Sequence, residues 1–397
     1  MPRHLPVLNL SIWLLSIPMR RRFRHATAER SCAEPIIVAI ELADGTTGYG
    51  ETHPRPYVTG ETHEAIVASL RDVFVPRLVT MHPANFGEAL EAASDLPAFD
   101  AHGRAATAAR AAVELAVLDA YSRAFGRSLE QISGWLEEPA FGLPGSGPTV
   151  RYSGVISADA PASAARSIRR LRLAGLRDFK LKVGDDVEVE RLAAAVGVLK
   201  RSLRHGRTTL RLDANGAWSF DHAVRRLSEW RDLPIACVEQ PLPKRQASQW
   251  AELARASSLP LMADESLVTF DDAEDLIVHR AARWFNIRIA KNGGLIPALR
   301  LAITARKHGI ACQLGCMVGE TSILSAAGRW FLQLVPDIRF AEGSFGRFLL
   351  TDDVTPRAIR FGFAGRWRPL TGYGLGVTID PARLRRRAIQ PPIEIQF

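Results

Sequence analysis

Cysteine is scarce in this 397-residue chain: Cys32, Cys237, Cys312 and Cys316 are all there is. Four scattered thiols cannot form a disulfide framework, and the CxxxC of Cys312 and Cys316 has no second pair with which to build a zinc site. Reduced thiols and a cytoplasmic location are expected. Long apolar runs are missing too. The best candidate, residues 6 to 19, follows a basic MPRH as a signal peptide would, but Arg20, Arg21 and Arg22 stand where a small-residue cleavage site should be. The run is too short to span a bilayer, and a first strand, LNLSIWLL, is expected there instead. No internal repeat and no low-complexity segment shows. The net charge of +9 is concentrated in arginines at 20 to 24 and 385 to 387, without a Gly-aromatic RNA motif or zinc-finger spacing. Neither nucleic acid nor membrane is an expected partner. A solvated basic surface is, and Arg20 to Arg24 would attract a small anion.

With 47% hydrophobic residues, the chain can build one large domain and a smaller one. Residues 1 to 51 read as a meander: a strand over 6 to 17, a loop (PMRRRFRHATAERSCAE), a strand PIIVAIEL, a hairpin turn at Asp44-Gly45 and the return strand TTGYGE. Helices near 62 to 78 and 86 to 94 follow, then a long Ala-rich helix from Arg104 to Gly126. The Gly/Pro-rich GLPGSGP, 142 to 148, marks a boundary. The expected division is 1–141 as an α+β front domain, 142–349 as a barrel, and 350–397 as a segment returning to the front, with PLTGYGLGVTID and IEIQF as late strands.

From Phe179 to Glu342 the chain keeps a regular beat. Short apolar runs end in Lys182, Asp213, Glu239, Asp264, Lys291, Gly315 and Glu342, at intervals of 31, 26, 25, 27, 24 and 27 residues. Each interval is one strand, one helix and two short loops. Helices are expected at 161–175, 187–204, 219–232, 246–257, 270–281, 296–308 and 320–335. No eighth barrel helix follows the last strand, so the fold class is α/β, a (β/α)7β modified TIM barrel beside a smaller α+β front domain. In such a barrel the strands aim their carboxyl ends at one mouth.

The residues at that mouth suggest chemistry. Lys180 and Lys182 share a strand face, so their ammonium groups should repel and lower each other's pKa, as a general base requires. Asp213, Glu239 and Asp264 end three successive strands. Singly, each would be a helix cap or an ion-pair partner. Together they call for a hard divalent cation: Mg²⁺, or Mn²⁺ in its place. Asn215, Gln240 and Glu265 stand beside these ligands in sequence, where they could brace them. Lys291, closing strand six, should face Lys182 across the ion.

The ordered motifs KLK, LDANG, VEQP, ADES and AKNGG resemble the enolase superfamily, in its muconate lactonizing enzyme subgroup. The resemblance covers nearly the whole chain, including GYGE, AAVELAVLDA and GLGVTID. It implies that Asp213, Glu239 and Asp264 bind magnesium, that Lys182 and Lys291 are acid/base residues, and that Lys180 tunes Lys182. It implies a cap whose loops at 20–25 and 54–59 touch a small carboxylate substrate. Arg24, Tyr57, Met317, Glu342 and Ser344 are the expected substrate contacts. A homo-oligomer, dimeric or octameric, is expected by the same resemblance. The reaction implied is removal of a proton α to a carboxylate through an enediolate.

Strand seven, IACQLGCM, lacks the terminal histidine of the mandelate racemase subgroup. Dipeptide epimerases of the resembled subgroup carry Asp-x-Asp at the end of strand eight, where this chain has Glu342-Gly343-Ser344. Muconate cycloisomerases carry a Glu-Leu-Phe-Gly-like stretch, which Phe345-Gly346 matches only with a shift. The first expectation is racemisation or epimerisation of an amino-acid derivative or dipeptide. The alternatives are cycloisomerisation or a syn-elimination of the o-succinylbenzoate synthase kind, and a non-enzymatic scaffold is disfavoured by the six charged mouth residues.

Overall fold

The computed structural model describes residues 4–25, 28–138, 150–157, 160–244 and 247–397. The front of the chain makes β1 (Val7–Leu14), β2 (Ile17–His25), β3 (Ala28–Ala33), β4 (Ile36–Leu42) and β5 (Thr47–Thr52). β4 is almost wholly apolar and lies inside its sheet, between β1 and β5. The Asp44-Gly45 turn joins β4 to β5 as expected, with Gly45 at φ 82° and Asp44 Oδ1 accepting from Thr46 N at 3.0 Å. The expected loop at 18–34 is instead mostly the two-stranded ribbon of β2 and β3. Its extended residues pair locally, which an Arg-rich composition did not suggest. The expected boundary at 142–148 lies outside the described residues.

Helix Thr107–Ala124 is buried along sixteen of its eighteen residues. It packs on β5, and small residues on both sides allow the close approach. A Cβ on Gly50 would stand 1.8 Å from the Ala112 carbonyl oxygen, and one on Gly48 would stand 2.3 Å from that of Ala116. This contact explains the GYG of the sequence.

The second half is an eight-stranded parallel sheet: β6 (Gly154–Ile156), β7 (Asp178–Lys182), β8 (Thr209–Asp213), β9 (Val238–Glu239), β10 (Leu261–Ala263), β11 (Trp284–Ile287), β12 (Ala311–Leu314) and β13 (Phe340–Ala341). Seven helices alternate with these strands, within a few residues of the expected ranges: Pro161–Leu173, Glu188–Arg204, Phe220–Glu229, Ala247–Ala256, Phe270–Val278, Leu295–Lys307 and Ser322–Leu334. A parallel bridge between Tyr152 and Ala341, with Ser153 N donating to Ala341 O at 2.8 Å, joins the two edges and closes the barrel. No described helix is long and apolar enough to cross a membrane.

The final strand, β14 (Ile393–Gln396), returns to pair with β1. PLTGYGLGVTID does not form the expected strand. Gly372, Gly374 and Gly376 all take positive φ, which breaks the extended run. Leu375 N instead donates to Asp119 Oδ1 at 2.7 Å, fastening the segment to the Ala-rich helix.

Buried carboxylates bind the cap to the barrel. Glu51 accepts from Thr321 N (2.8 Å), Thr321 Oγ1 (2.7 Å) and Leu324 N (3.0 Å), at the start of the helix before β13. Glu114 accepts from Leu295 N (3.0 Å) and Ile296 N (2.7 Å), at the start of the helix before β12. That helix begins after Gly294, which has no side chain to cap it. A Cβ on Gly294 would lie 2.5 Å from the Glu114 carboxyl carbon, so the second glycine of NGG makes room for a cap supplied from elsewhere.

Candidate active site

Neighbouring strands that stop at one height gather the site. Lys182 is in register with Asp213, and Asp213 with Glu239. Asp264 stands one residue beyond β10, and Glu342 one beyond β13. Asp213, Glu239 and Asp264 are completely buried, and Lys180 and Lys182 nearly so. Buried charges persist only when paired, and here each acid has a cation or an amide against it.

Lys182 Nζ donates to Asp213 Oδ2 at 2.6 Å and to Asn215 Oδ1 at 2.7 Å. Lys180 Nζ sits 2.8 Å from Glu342 Oε2, 3.1 Å from Asp213 Oδ2 and 3.2 Å from Glu239 Oε2. The expected mutual depression of the two lysines therefore does not govern Lys180. Burial works to lower its pKa, but Glu239, Glu342 and Asp213 outweigh burial and raise it. Burial alone would raise the Asp213 carboxyl, and Lys182 with Lys180 reverses that and holds it well below the carboxylate range.

Lys291 does not end a strand. Pairing of β11 stops at Ile287, and Asn292 closes a turn there, its Oδ1 accepting from Arg288 N at 2.9 Å and its own N–H donating to Arg288 O at 2.9 Å. Lys291 rides in that turn. Its ammonium is fully buried and donates to Asp264 O (2.7 Å), Asp264 Oδ1 (2.9 Å) and Asn286 O (2.7 Å). Burial, then the nearby Arg288 charge, lowers its pKa well below the ordinary lysine value.

The polar residues next to the acids brace them. Asn215 Nδ2 donates to Glu265 Oε1 at 3.1 Å. Gln240 Oε1 accepts from Asp264 N and Ser266 N, both at 3.1 Å, and so holds the turn that carries Asp264. Asn215, Gln240 and Ser344 take φ of 46°, 40° and 54°, conformations that side-chain-bearing residues seldom adopt, and all three follow barrel strands into the site.

A cavity of about 310 Å³ opens above this cluster. Lys180, Lys182, Asn215 and Glu265 line it from the barrel, and Arg55 and Tyr57 line it from the cap. Met317, Glu342 and Ser344 also line it, as four of the five expected substrate contacts with Tyr57. The fifth, the Arg24 side chain, lies outside the described residues. Lys291 is not part of the cavity wall.

Sequence reasoning missed four charged residues here. Arg288 lines the cavity, and its guanidinium touches Asp264 Oδ2. Arg211 is fully buried, donates to Glu342 Oε1 at 3.0 Å and stacks 4.0 Å above Phe340. Strand alternation could have found both, since Arg211 precedes Asp213 by two and Arg288 follows Asn286 by two. Arg55 and Glu320 come from loops, where no periodicity marks them.

Among the described residues, no three acids, histidines or cysteines are gathered into a ready metal cluster, because cations fill the spaces between the carboxylates. The donor set still fits a hard divalent ion: all oxygen, buried, on three consecutive strands. Glu265 Oε2 is buried without a hydrogen-bond partner, an orphaned oxygen that such an ion would satisfy, whereas Asp264 Oδ2 is already met by the Arg288 guanidinium.

Comparison with known proteins gives a consistent result. Residues 163–383 match a family model described as "Enolase C-terminal domain-like", and residues 12–134 match the "Mandelate racemase / muconate lactonizing enzyme, N-terminal domain". The chain is 29% identical to an N-succinyl-L-Arg/Lys racemase of Bacillus cereus, over 80% of this chain and 82% of that one. It is 27% identical to an L-Ala-D/L-Glu epimerase of Bacillus subtilis, over 82% and 84%. It is 28% identical to muconate cycloisomerase 1-2 of Acinetobacter lwoffii, over 94% and 93%. Among solved structures, 2-chloromuconate cycloisomerase of Rhodococcus opacus superposes with a TM-score of 0.82 at 26% identity, covering 97% of this chain and 100% of that one.

Proposed function

The chain belongs to the enolase superfamily, in its muconate lactonizing enzyme subgroup, and from that premise we propose that it removes the proton α to a carboxylate of a small substrate and returns a proton there, racemising or epimerising an amino-acid derivative or dipeptide. One observation carries the reading: the Lys182 ammonium lines a ligand-sized cavity, aimed by Asp213 and Asn215, at the mouth of the barrel.

Lys182 is the base that faces the substrate, and Lys291 serves the opposite face of the α-carbon. Lys180 stays charged among Glu342, Asp213 and Glu239, adding positive charge beneath the substrate carboxylate as the enediolate forms. Asp213, Glu239 and Asp264 would hold Mg²⁺, or Mn²⁺, which supplies further positive charge to that carboxylate when bound. Asn215 and Gln240 keep the acids oriented. The same reading includes a cytoplasmic enzyme assembled as a dimer or octamer, and light scattering tests the assembly.

A specific observation favours a second reading, cycloisomerisation or syn-elimination by one base. Lys291 is sealed under Asp264 and the Asn286 carbonyl, outside the cavity wall. Glu342, which an epimerase would need for a substrate ammonium, is already taken by Lys180 and Arg211. The test is a screen of dipeptides and N-acyl amino acids in D₂O with Mg²⁺, read by mass and on a chiral column. Deuterium at the α-carbon with inversion supports racemisation or epimerisation. Turnover without inversion refutes it and leaves the one-base chemistry.

A further inference from the structure

Four cations line the cavity: Arg55, Lys180, Lys182 and Arg288. Three are ion-paired. Lys180 meets Asp213, Glu239 and Glu342, Lys182 meets Asp213, and Arg288 meets Asp264. Arg55 has no carboxylate partner among the described residues. It is only 1% exposed. Its NH1 donates to Pro54 O and its NH2 to Val318 O, both at 2.8 Å, while His53 Nδ1 lies 3.4 Å from NH2. The two main-chain carbonyls take up part of its five N–H donors and do not cancel its charge.

A buried, uncompensated guanidinium is costly. Its surroundings add to the cost. Arg30, whose Cζ is 6.0 Å from the Tyr57 ring centroid, and Arg288 both place positive charge nearby, and Glu34, which opposes them, is half-exposed and already paired with Arg30 at 3.8 Å. Burial, with Arg30 next, brings the Arg55 pKa down to about 10. An anion entering the cavity would restore the balance. Glu320 is the one acid beside Arg55 on that wall, and its Oε1 is occupied by Met317 N at 2.6 Å. Burial pushes the Glu320 carboxyl up to about 8, so near neutral pH it is mostly uncharged and neither neutralises Arg55 nor repels an anion.

We infer that Arg55 and the 317–320 loop form a subsite for a second anionic group of the substrate, at the cap wall of the cavity and apart from the carboxylate handled at the lysines. This rests on the proposed α-proton chemistry and adds a substrate class to it: amino-acid derivatives or dipeptides bearing a distal carboxylate, in preference to those ending in a neutral or apolar group. Arg55 acts here on specificity. Because it also ties the cap to Val318, the test must separate recognition from support.

The test compares matched substrates that differ only in that charge: L-Ala-L-Glu against L-Ala-L-Gln, and N-succinyl-L-alanine against its terminal amide. α-Deuterium exchange and titration calorimetry are run on the full chain with Mg²⁺, for the wild type, Arg55→Met and Arg55→Lys, each checked for an unchanged melting profile. The wild type should favour the charged member of at least one pair by about 10–100-fold, as a hydrogen bond to a charged group implies. Arg55→Met should bring that ratio toward one, and Arg55→Lys should keep part of it. A wild type without preference, or a Met variant that weakens both members equally, overturns the subsite and leaves Arg55 as a structural tie. If no compound exchanges yet calorimetry shows the Arg55-dependent preference, the proposed reaction fails and the subsite stands. A wild type that binds neither member of either pair overturns the subsite as well.

Discussion

Lys180 and Lys182, two residues apart on β7, point their ammonium groups at a single oxygen, Asp213 Oδ2, at 3.1 and 2.6 Å. That carboxylate keeps two like charges together beneath the cavity. Asp213→Asn retains the shape and removes the charge. Turnover should fall by at least about 10²–10³, the usual cost of losing one preorganised stabiliser of developing negative charge. The circular dichroism spectrum should stay native. A near-wild-type rate would show that Asp213 has no part in the chemistry.

Glu51 serves the barrel from the cap. Glu51→Ala leaves the N–H groups of Thr321 and Leu324 buried without their acceptor. Unsatisfied buried donors cost about 1–3 kcal/mol each, so a destabilisation on the order of 3 kcal/mol is expected in urea titrations. KM should rise too, because Thr321 adjoins the 317–320 wall of the cavity. A variant as stable as the wild type would show that this contact does not hold the two parts together.

Gly50 is irreplaceable for steric reasons. An alanine there would drive its Cβ into the Ala112 carbonyl of a fully packed helix. Gly50→Ala should give insoluble protein or lower stability by several kcal/mol, on the order of 3 or more. Gly45→Ala makes the control: a Cβ there meets nothing within 4 Å, although φ is 82°. Equal effects of the two substitutions would contradict the close helix–strand contact.

Glu114 predicts a pH dependence of stability. Burial raises its carboxyl from 4.5 to about 7 in the folded chain, although Arg110 and two backbone N–H groups oppose the rise. Between pH 4.5 and 7 the unfolded chain has released this proton while the folded chain retains it. The folded state binds more protons there, so stability falls as pH rises through the window and levels off above it. Glu114→Gln should flatten the slope by at most about 1.4 kcal/mol per pH unit, the value of one proton. Parallel stability–pH curves for variant and wild type would refute the assignment.

The barrel was legible because a repeating unit writes its period into the sequence: Lys182, Asp213, Glu239 and Asp264 fall at, or one residue past, the ends of β7 to β10. Lys291 was legible as a residue and misplaced in space, since the turn closed by Asn292 carries it past its strand. Gly50, Gly294 and Glu114 were visible as motif letters, but their purpose lies in contacts between parts of the chain far apart in sequence. Arg55 lay within the 54–59 loop expected at the substrate but was not singled out, and Glu320 left no trace, because loop residues have no periodicity and their meaning depends on which charges lack partners. The β2–β3 ribbon was hidden by its composition, and the irregular 369–380 segment was hidden because its glycines sit within an otherwise strand-like run.

The most direct test of two lysines serving opposite faces of one α-carbon is enantiomer-resolved deuterium exchange by Lys182→Ala and Lys291→Ala, using whichever substrate the D₂O screen identifies. The account predicts that each variant fails to exchange one configuration at the α-carbon and still exchanges the other, with the two defects reversed between the variants. Loss of both configurations in Lys182→Ala, with Lys291→Ala slowed equally toward both, would contradict it and leave Lys182 as the sole base.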